Sequence, residues 1–403
     1  MLSATSRLAF ARALRKAVVV KGVDMTDTAA ELFRSADLLV RRVGARGGLC
    51  FVTFGSYTNE ATLERAGFAE EFLRDEGIDA IHVINRDNSW YQYREIGEAL
   101  RAVRSATAPY DRVITYGSSM GGYAALRFGR LSRADTGIAI SPQFSLDPRV
   151  VPFEDRWQAD VARITFNERS YAPLPRQYIF YDPRMALDRA HFDAFVAAGG
   201  DPIGVAIPYA GHPVGPILLE TGVLKEAIRA IANASFAPHE LQRQVRARRR
   251  LSQHHFFMLA RRAKDRRPKL AIAFLRRAAA IQPESHIVSE LAAALDRQGE
   301  HEEAGPLHRA AIERVPDNTR AHINYARHLE AIGRRREAAE TLRRAIQGQA
   351  GSVRLIVRIV QFRMALRRWR LGPVDRMFEK AVDRLRLSPR YGRTIRFLGH
   401  AMR

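Results

Sequence analysis

The sequence predicts two parts of different fold class: a mostly parallel α/β sheet with helices on both faces, followed by an all-α array of helical repeats. Short apolar runs of strand length alternate with helical periodicity up to about residue 235. Beyond that point, five small or apolar residues recur at an offset of 34 positions. The charge changes nearby, because residues 1–240 carry 28 basic and 28 acidic residues, whereas residues 241–403 carry 37 and 15. The second part therefore holds the whole net charge of +22.

Length and composition limit the class of protein. With 403 residues and a hydrophobic content of 46%, the chain can form two domains with sizeable cores. We predict an α/β domain over residues 1–240, with its core at about 45–235, and a basic helical domain over residues 241–403. No stretch approaches the ~20 apolar residues of a membrane span. Arginines interrupt the N-terminal segment, which argues against a secretory signal and favours a cytoplasmic protein; an arginine-rich mitochondrial presequence is the alternative.

The pattern up to residue 116 predicts alternating strands and helices. Apolar residues at helical spacing indicate helices, and short β-branched or continuous apolar runs indicate strands buried on both faces. The predicted elements in order are strand 17–20, helix 28–43, strand 49–54, helix 61–74, strand 80–84, helix 93–105 and strand 113–116.

The same alternation continues after the residue-117 turn, with one irregular stretch. Residues 141–175 contain several prolines and no clear period, which suggests a lid over the site. The remaining predicted elements are strands 137–140, 177–181 and 203–207, with helices 190–198 and 214–234. Such β–α alternation calls for a mostly parallel sheet with right-handed crossovers.

A G-x-S-x-G pattern, from Gly117 through Ser119 to Gly121, lies between the strand 113–116 and the start of a helix. Glycine is needed on both sides because the turn is too sharp for side chains at those positions. The turn raises the Ser119 hydroxyl out of the sheet, so Ser119 is the predicted nucleophile. It also aims the Met120 N–H at the position of an oxyanion.

A serine nucleophile needs a histidine base and an acid that orients the base, and on such folds they follow in the order serine, acid, histidine. His212 follows the last predicted strand in a glycine-bearing loop, and it is the predicted base. Asp188 and Asp182 both follow the strand 177–181 and compete as the acid. Asp188 is favoured because a side chain needs a few residues to turn back toward the histidine, although it could only cap a helix. Asp182 before a proline resembles a turn residue.

Residues 45–235 resemble the α/β-hydrolase superfamily through the serine turn, the Gly211-His212 pair and the carboxylates between them. The resemblance implies Ser–His–Asp acyl transfer on esters, thioesters or amides, without a metal or a cofactor. The sequence departs from larger members in its few strands before the serine and in its lack of a His-Gly-Gly-Gly oxyanion motif.

The loops after the strands 49–54 and 80–84 supply the other predicted site residues. The second oxyanion donor is expected from the N–H of Ser56 or Tyr57. Arg86, Trp90 and Tyr91 are candidates for the lining of the substrate pocket. Alternatively, Trp90 only packs over the edge of the sheet.

The helical part contains an internal repeat. A 34-residue helix–turn–helix period with small residues at helix contacts resembles the tetratricopeptide repeat. The sequence suggests an earlier copy of the repeat about 33 residues upstream and a degenerate capping unit at residues 353–387. The alternative is an ordinary helical bundle. The recurring residues are Ala292, Leu295, Gly299, Ala304 and Ala311, which return as Ala326, Leu329, Gly333, Ala338 and Ala345.

These features predict a serine hydrolase of esterase or acyl-hydrolase type that acts on a small acyl substrate. The repeats favour a protein or peptide partner in a concave groove. The basic half contains arginine clusters such as Arg334–Arg336 and Arg367–Arg370. These clusters could bind an anionic polymer or, as a third hypothesis, nucleic acid. Alternatively, they form a solvated surface without a dedicated partner. No zinc-ligand spacing or phosphate loop is present. The alternative function is a scaffold with an inactive hydrolase-like domain.

Overall fold

The computed structural model describes residues 29–45, 47–58, 60–168, 170–345 and some positions between 354 and 364. The chain divides into two compact units that part between His255 and Phe256. The expected strand at 17–20 and the arginines at 367–370 lie outside the described residues, as does most of the expected capping unit. Within the described residues, no helix is both long enough and apolar enough to cross a membrane.

The first unit is built on one eight-stranded sheet with strand order β1-β2-β4-β3-β5-β6-β7-β8. Strand β2 pairs antiparallel with β1 and with β4, and the remaining pairs are parallel. The carboxyl ends of the parallel strands therefore meet at one edge, where ligands bind in such sheets. The strands are β1 (Ala30–Arg34), β2 (Leu38–Val43), β3 (Leu49–Phe54), β4 (Asp79–Asn85), β5 (Arg112–Ser118), β6 (Thr136–Ile140), β7 (Arg176–Tyr181) and β8 (Ile203–Ala206).

Two apolar clusters cover the two faces of this sheet. One holds alternate residues of β3 and β4, such as Val52 and Ile81, and the other holds residues of the later strands, such as Phe180 and Val205. The helices are α1 (Glu70–Asp75), α2 (Ile96–Ala106), α3 (Met120–Arg127), α4 (Gln158–Val161), α5 (Ala186–Ala197), α6 (Gly215–Glu220), α7 (Val223–Ala232) and α8 (Pro238–Arg248).

Residues 28–43 do not form the expected helix; the described part of this range forms the antiparallel strands β1 and β2. The Ser35 hydroxyl accepts hydrogen bonds from the N–H groups of Asp37 and Leu38, and Ser35 N–H bonds to the Leu38 carbonyl. This reverse turn breaks the helical period, and serine side chains favour such turns over helix interiors. Leu38 to Val40 then bury completely in the sheet.

Three other boundaries differ from the expected ones. The helix expected over residues 61–74 is reduced to α1, and the helix expected over 214–234 is broken between α6 and α7 at Gly222, which has φ +74°. The first unit also extends beyond residue 240, because Leu241 and Val245 of α8 join its core.

The second unit consists of successive helices that follow the predicted repeat. Gly299 and Gly333 adopt φ +82° and +83° at the turns within the two helix pairs, a conformation that glycine enters without strain. The recurring alanines and leucines are buried at the helix contacts. The helices are α9 (Gln253–Ala263), α10 (Pro268–Ile281), α11 (Ser285–Asp296), α12 (His301–Arg314), α13 (Thr319–Ala331) and α14 (Arg335–Arg344). The predicted fold class, a mostly parallel α/β sheet with helices on both faces followed by an all-α repeat array, is confirmed.

Candidate active site

The turn between β5 and α3 holds Ser119 in a conformation that few residues adopt, with φ +50° and ψ −115°. A Cβ atom at Gly117 would overlap the Gly121 carbonyl, and one at Gly121 would overlap the Phe54 carbonyl at the end of β3. Both glycines are therefore required by close backbone approach, as the sequence predicted. The Ser119 N–H is fixed by the Ile140 carbonyl of β6 at 2.8 Å.

Ser119, His212 and Asp188 form one hydrogen-bonded chain. The distance from Ser119 Oγ to His212 Nε2 is 3.1 Å, and His212 Nδ1 lies 2.9 Å from Asp188 Oδ2 and 3.0 Å from Oδ1. An ionised Asp188 accepts from Nδ1–H, so the tautomer assigned to His212 leaves Nε2 free to accept the Ser119 proton. The Asp188 side chain is 2% exposed, the His212 side chain is 11% exposed and Ser119 is 6% exposed, so all three residues are largely shielded from solvent.

Asp182 does not contact His212, and it holds the loop that carries the histidine. Its carboxylate accepts hydrogen bonds from the N–H groups of Arg184 at 2.8 Å, Tyr209 at 3.2 Å and Gly211 at 2.8 Å. Asp182 is thus a positioning residue for the residues just before His212. Asp188, which the spacing favoured, is the carboxylate that the structure brings to the imidazole.

The segment 141–175, predicted as a lid, adds an ionic network behind Asp188. Arg156 Nη1 donates to Asp188 Oδ1 at 2.6 Å, and its Nη2 donates to Glu154 at 2.7 Å. His191 Nε2 lies 2.8 Å from the same Glu154 carboxylate, and His191 Nδ1 accepts from the Phe144 N–H at 3.1 Å. His191 therefore donates from Nε2 as a neutral imidazole.

This network fixes the charge states around the site. Burial acts to raise the pKa of Glu154, but the hydrogen bonds from His191 and Arg156 outweigh it and lower the pKa to about 2. Burial likewise opposes ionisation of Asp188, yet the hydrogen bond and charge of His212, together with Arg156, lower its pKa below the ordinary value. Desolvation lowers the pKa of His191, in keeping with its neutral state. Asp188 is therefore a fixed anion.

Gln143 is a site residue that the sequence analysis missed. Its Nε2 donates to Ser119 Oγ at 3.3 Å, and its Oε1 lies 3.5 Å from the Trp90 indole nitrogen. Gln143 is fully buried, so its amide orientation is set by these neighbours. A fixed amide donor at the nucleophile can also stabilise negative charge that develops there.

Three aromatic rings form an apolar wall beside the imidazole. The Trp157 ring centroid lies 6.3 Å from that of His212, 5.2 Å from Trp90 and 5.0 Å from Tyr57. The Trp157 indole N–H is buried and has no hydrogen-bond partner among the described residues. Trp90 is 1% exposed and packs against Trp157, so its role in lining the pocket stays a prediction; Trp157 of the segment 141–175 is a second nearby residue that the sequence patterns did not indicate.

The other two pocket candidates have different roles. Arg86 pairs with Asp37 at 2.6 Å and is close to half exposed, so its guanidinium is engaged at the β1–β2 turn. Tyr91 is completely buried, and its hydroxyl donates to the Gly55 carbonyl at 2.9 Å. In the structure Arg86 is thus engaged in an ion pair and Tyr91 supports the loop after β3, so a role for either in lining the substrate pocket stays a prediction.

The predicted oxyanion donors lie on two neighbouring segments. Met120 begins α3, where backbone N–H groups have no partner within the helix. Gly121 abuts the carbonyls of Phe54 and Gly55, which brings the loop with Ser56 and Tyr57 beside the serine turn. The Ser56 hydroxyl is buried without a hydrogen-bond partner among the described residues.

Backbone strain is concentrated around this site. Among the described residues, eight non-glycine residues have positive φ, and five of them lie in the loops that carry or flank the triad. Such conformations cost on the order of 1–3 kcal/mol each and are retained mainly at functional sites. These five residues are Trp90, Tyr91, Ser119, Ser141 and Tyr209.

Sequence signals for the missed residues were weak. Gln143, Arg156 and Trp157 lie in the irregular segment 141–175, which has no period that would assign a side chain to a face. Only the predicted lid over the serine indicated that residues of this segment could contribute to the site.

Residues 297–355 match the family model for the tetratricopeptide repeat. No curated relative matches the sequence. Among solved structures, the chain is similar to the capsule O-acetyltransferase of Neisseria meningitidis serogroup A, with 13% identity over 47% of this chain and 89% of that chain and a TM-score of 0.33. It is also similar to an α/β hydrolase enzyme from a Medee basin deep-sea metagenome library. The identity is 11% over 54% of this chain and 98% of that chain, with a TM-score of 0.36. The MamA protein is similar at 18% identity, with coverage of 40% and 83% and a TM-score of 0.26.

Proposed function

We propose that the first unit is a serine hydrolase of esterase or acyl-hydrolase type, with Ser119 as nucleophile, His212 as base and Asp188 as the orienting acid. The observation that carries the proposal is the continuous hydrogen-bonded chain from Ser119 Oγ through both His212 nitrogens to Asp188. Three residue types in this order and geometry are the arrangement that activates a serine hydroxyl.

In the proposed reaction, Ser119 Oγ attacks the carbonyl carbon of an ester, thioester or amide while His212 Nε2 takes the hydroxyl proton. Asp188 holds Nδ1–H and stabilises the imidazolium that forms. The Met120 N–H and a donor from Ser56 or Tyr57 stabilise the oxyanion. His212 then protonates the leaving group, and water releases the acyl group from Ser119.

The surroundings of the serine favour a small, apolar acyl group. The partly exposed rings of Tyr57 and Trp157 offer aromatic surface, the buried Trp90 ring packs against both, and Ser119 itself is only 6% exposed. Such apolar surroundings disfavour strongly charged acyl groups, because their charge would be desolvated without a partner.

We propose that the repeat unit binds a protein or peptide. A cleft of about 1260 Å³ lies between its helices and is lined by both basic and acidic residues, including Arg261, Arg320 and Glu290. Concave grooves of stacked helix pairs are the usual binding surfaces of such repeats. The basic side chains would favour a partner that carries carboxylates or phosphates.

Labelling with a fluorophosphonate probe tests the hydrolase proposal. The full chain should be labelled in a time-dependent manner and should hydrolyse short p-nitrophenyl esters faster than long ones. The Ser119→Ala variant should lose both reactions, whereas Ser118→Ala, at the preceding position, should retain both. Labelling that survives in Ser119→Ala would remove Ser119 from its role, and a folded wild-type chain that neither reacts nor hydrolyses would favour the scaffold alternative.

A further inference from the structure

Three imidazoles converge on one carboxylate in the repeat unit, and none of these residues belongs to the proposed hydrolase site. Asp296 ends helix α11, His301 and His308 lie on α12, and His328 lies on α13. Asp296 Oδ1 is 2.9 Å from His301 Nδ1 and 2.7 Å from His328 Nδ1, and Asp296 Oδ2 is 2.7 Å from His308 Nε2. Every imidazole thus points a ring nitrogen at the same acid.

The geometry of this cluster is close to that of a metal site. One ligand atom each from Asp296, His308 and His328 lies within 4.8 Å of the other two. Ligands of a tetrahedral zinc ion, with bonds near 2.0–2.1 Å, are separated by about 3.4 Å. The separations therefore need to change by at most about 1.4 Å for the three atoms to share one coordination sphere.

Packing orients the rings of His308 and His328 so that their facing nitrogens bond to Asp296. His308 is fully buried, and its Nδ1 has no hydrogen-bond partner among the described residues, so its contact with Asp296 is the one that a metal bond would replace. The Tyr325 ring stacks near both His308, at 5.8 Å, and His328, at 6.0 Å, which orients the two rings. Gly305 on α12 makes room for His328, because a Cβ there would lie 3.1 Å from His328 Nε2.

We propose that Asp296, His308 and His328 bind one divalent transition-metal ion, with zinc as the ion best matched to this donor set. Imidazole nitrogens and a carboxylate oxygen are ordinary zinc ligands. Asp296, His301 and His328 line the cleft, so His301 or a water molecule would supply the fourth ligand. The ion would join three consecutive helices across the boundary between two repeats.

Local sequence spacing could not indicate this site. Zinc motifs are recognised when two ligands lie a few residues apart, whereas these ligands come from three helices and meet only when the repeats stack. The proposal is independent of the proposed hydrolysis, so esterase activity is not its readout.

Metal binding is tested on the full chain, purified without a polyhistidine tag and stripped with a chelator. After zinc is added back and the excess is removed by dialysis, we expect atomic emission to measure one zinc ion per chain. When cobalt replaces zinc, we expect an intense visible spectrum typical of four-coordinate Co²⁺. Saturating zinc should raise the Tm of the repeat unit by about 5–10 °C at a concentration 100-fold above Kd. Asp296→Asn and His328→Gln should weaken binding by on the order of 100-fold or more, since even outer partners of metal ligands contribute 10–100-fold.

The matched control is His286→Gln, which removes an exposed histidine of α11 that pairs with Glu284. It should bind zinc like the wild type. Fewer than one zinc ion per wild-type chain, after stripping, addition of zinc and dialysis, would overturn the proposal. Equal zinc binding by Asp296→Asn, His328→Gln and His286→Gln would also overturn it. Either result would leave the cluster as a hydrogen-bonded network. If the ligand variants do not fold, the wild-type cobalt spectrum decides, because a weak six-coordinate spectrum contradicts the proposed ligand set.

Discussion

Replacement of Asp188 by asparagine gives a sharp test of the proposed triad. In the wild type, Arg156 donates to Asp188 Oδ1 at 2.6 Å, while His212 Nδ1 contacts both carboxylate oxygens. An asparagine has one oxygen, and the charged guanidinium holds it more strongly than a neutral imidazole does. The amide NH₂ then faces His212 Nδ1 and forces the proton onto Nε2, where it points at Ser119.

An imidazole in that tautomer cannot accept the serine proton, although the geometry is intact. We expect kcat/KM for a short p-nitrophenyl ester to fall by about 10³–10⁴-fold, or about 4–5.5 kcal/mol of transition-state stabilisation. The Tm should also fall, because the amide introduced by Asp188→Asn keeps the hydrogen bond from Arg156 but loses the charge attraction, so activity is compared between variants shown to be folded.

Asp182→Asn is the matched control, because it makes the same chemical change at the carboxylate that does not contact His212. It should cost about 1–3 kcal/mol of folding free energy through weaker hydrogen bonds to the Tyr209 and Gly211 N–H groups, and only about tenfold in kcat/KM. A folded Asp188→Asn variant within tenfold of wild-type activity would refute the reasoning, most directly if Asp182→Asn proved the inactive one.

Three further outcomes follow from the structure. Gln143→Ala should lower kcat/KM by about 100-fold, as expected for a donor near the developing charge, and should also lower Tm because the side chain is buried; unchanged kinetics would contradict the proposed role. The pKa of Glu154 is lowered from 4.5 to about 2, so its stabilisation of roughly 3 kcal/mol is complete above pH 4.5 and disappears as the pH falls toward 2. The free energy of unfolding in urea should fall with pH across this range in the wild type, and less steeply in Glu154→Gln. Equal slopes of this free energy against pH in the two proteins would contradict the network. Gly299→Ala, at φ +82°, should destabilise the repeat unit by about 1–2 kcal/mol in thermal unfolding. The control Gln298→Ala, at the exposed preceding position, should change the stability by no more than about 0.5 kcal/mol. Equal effects of the two substitutions would exclude a backbone cause.

The segment 141–175 illustrates how fold and site differ in their predictability. Its proline content and lack of period indicated an irregular cover over the serine, and the structure places one short helix, α4, within it. The contacts of Arg156 with Asp188 and of Gln143 with Ser119 join residues 32 and 24 positions apart. No periodic pattern encodes such contacts, because they depend on the path of a loop that packs against the sheet.

The error at residues 28–43 has a related cause. Apolar residues at helical spacing predicted a helix, but the Ser35 turn and the pairing of β2 with β4 placed Leu38 to Val40 in the sheet. Tertiary pairing overrides local propensity when a continuous apolar run can be buried on both faces of a sheet.

The sequence by itself determined the features that are written in backbone geometry: the glycines that permit the turn at Ser119, the order of serine, acid and histidine, and the glycine turns of the 34-residue repeat. These are local requirements, since close approach and positive φ restrict residue type wherever they occur. Only the tertiary structure decided that Asp188 reaches His212 while Asp182 holds the loop, and that three histidines surround Asp296. Those contacts join side chains from separate strands and helices, and packing alone brings them together.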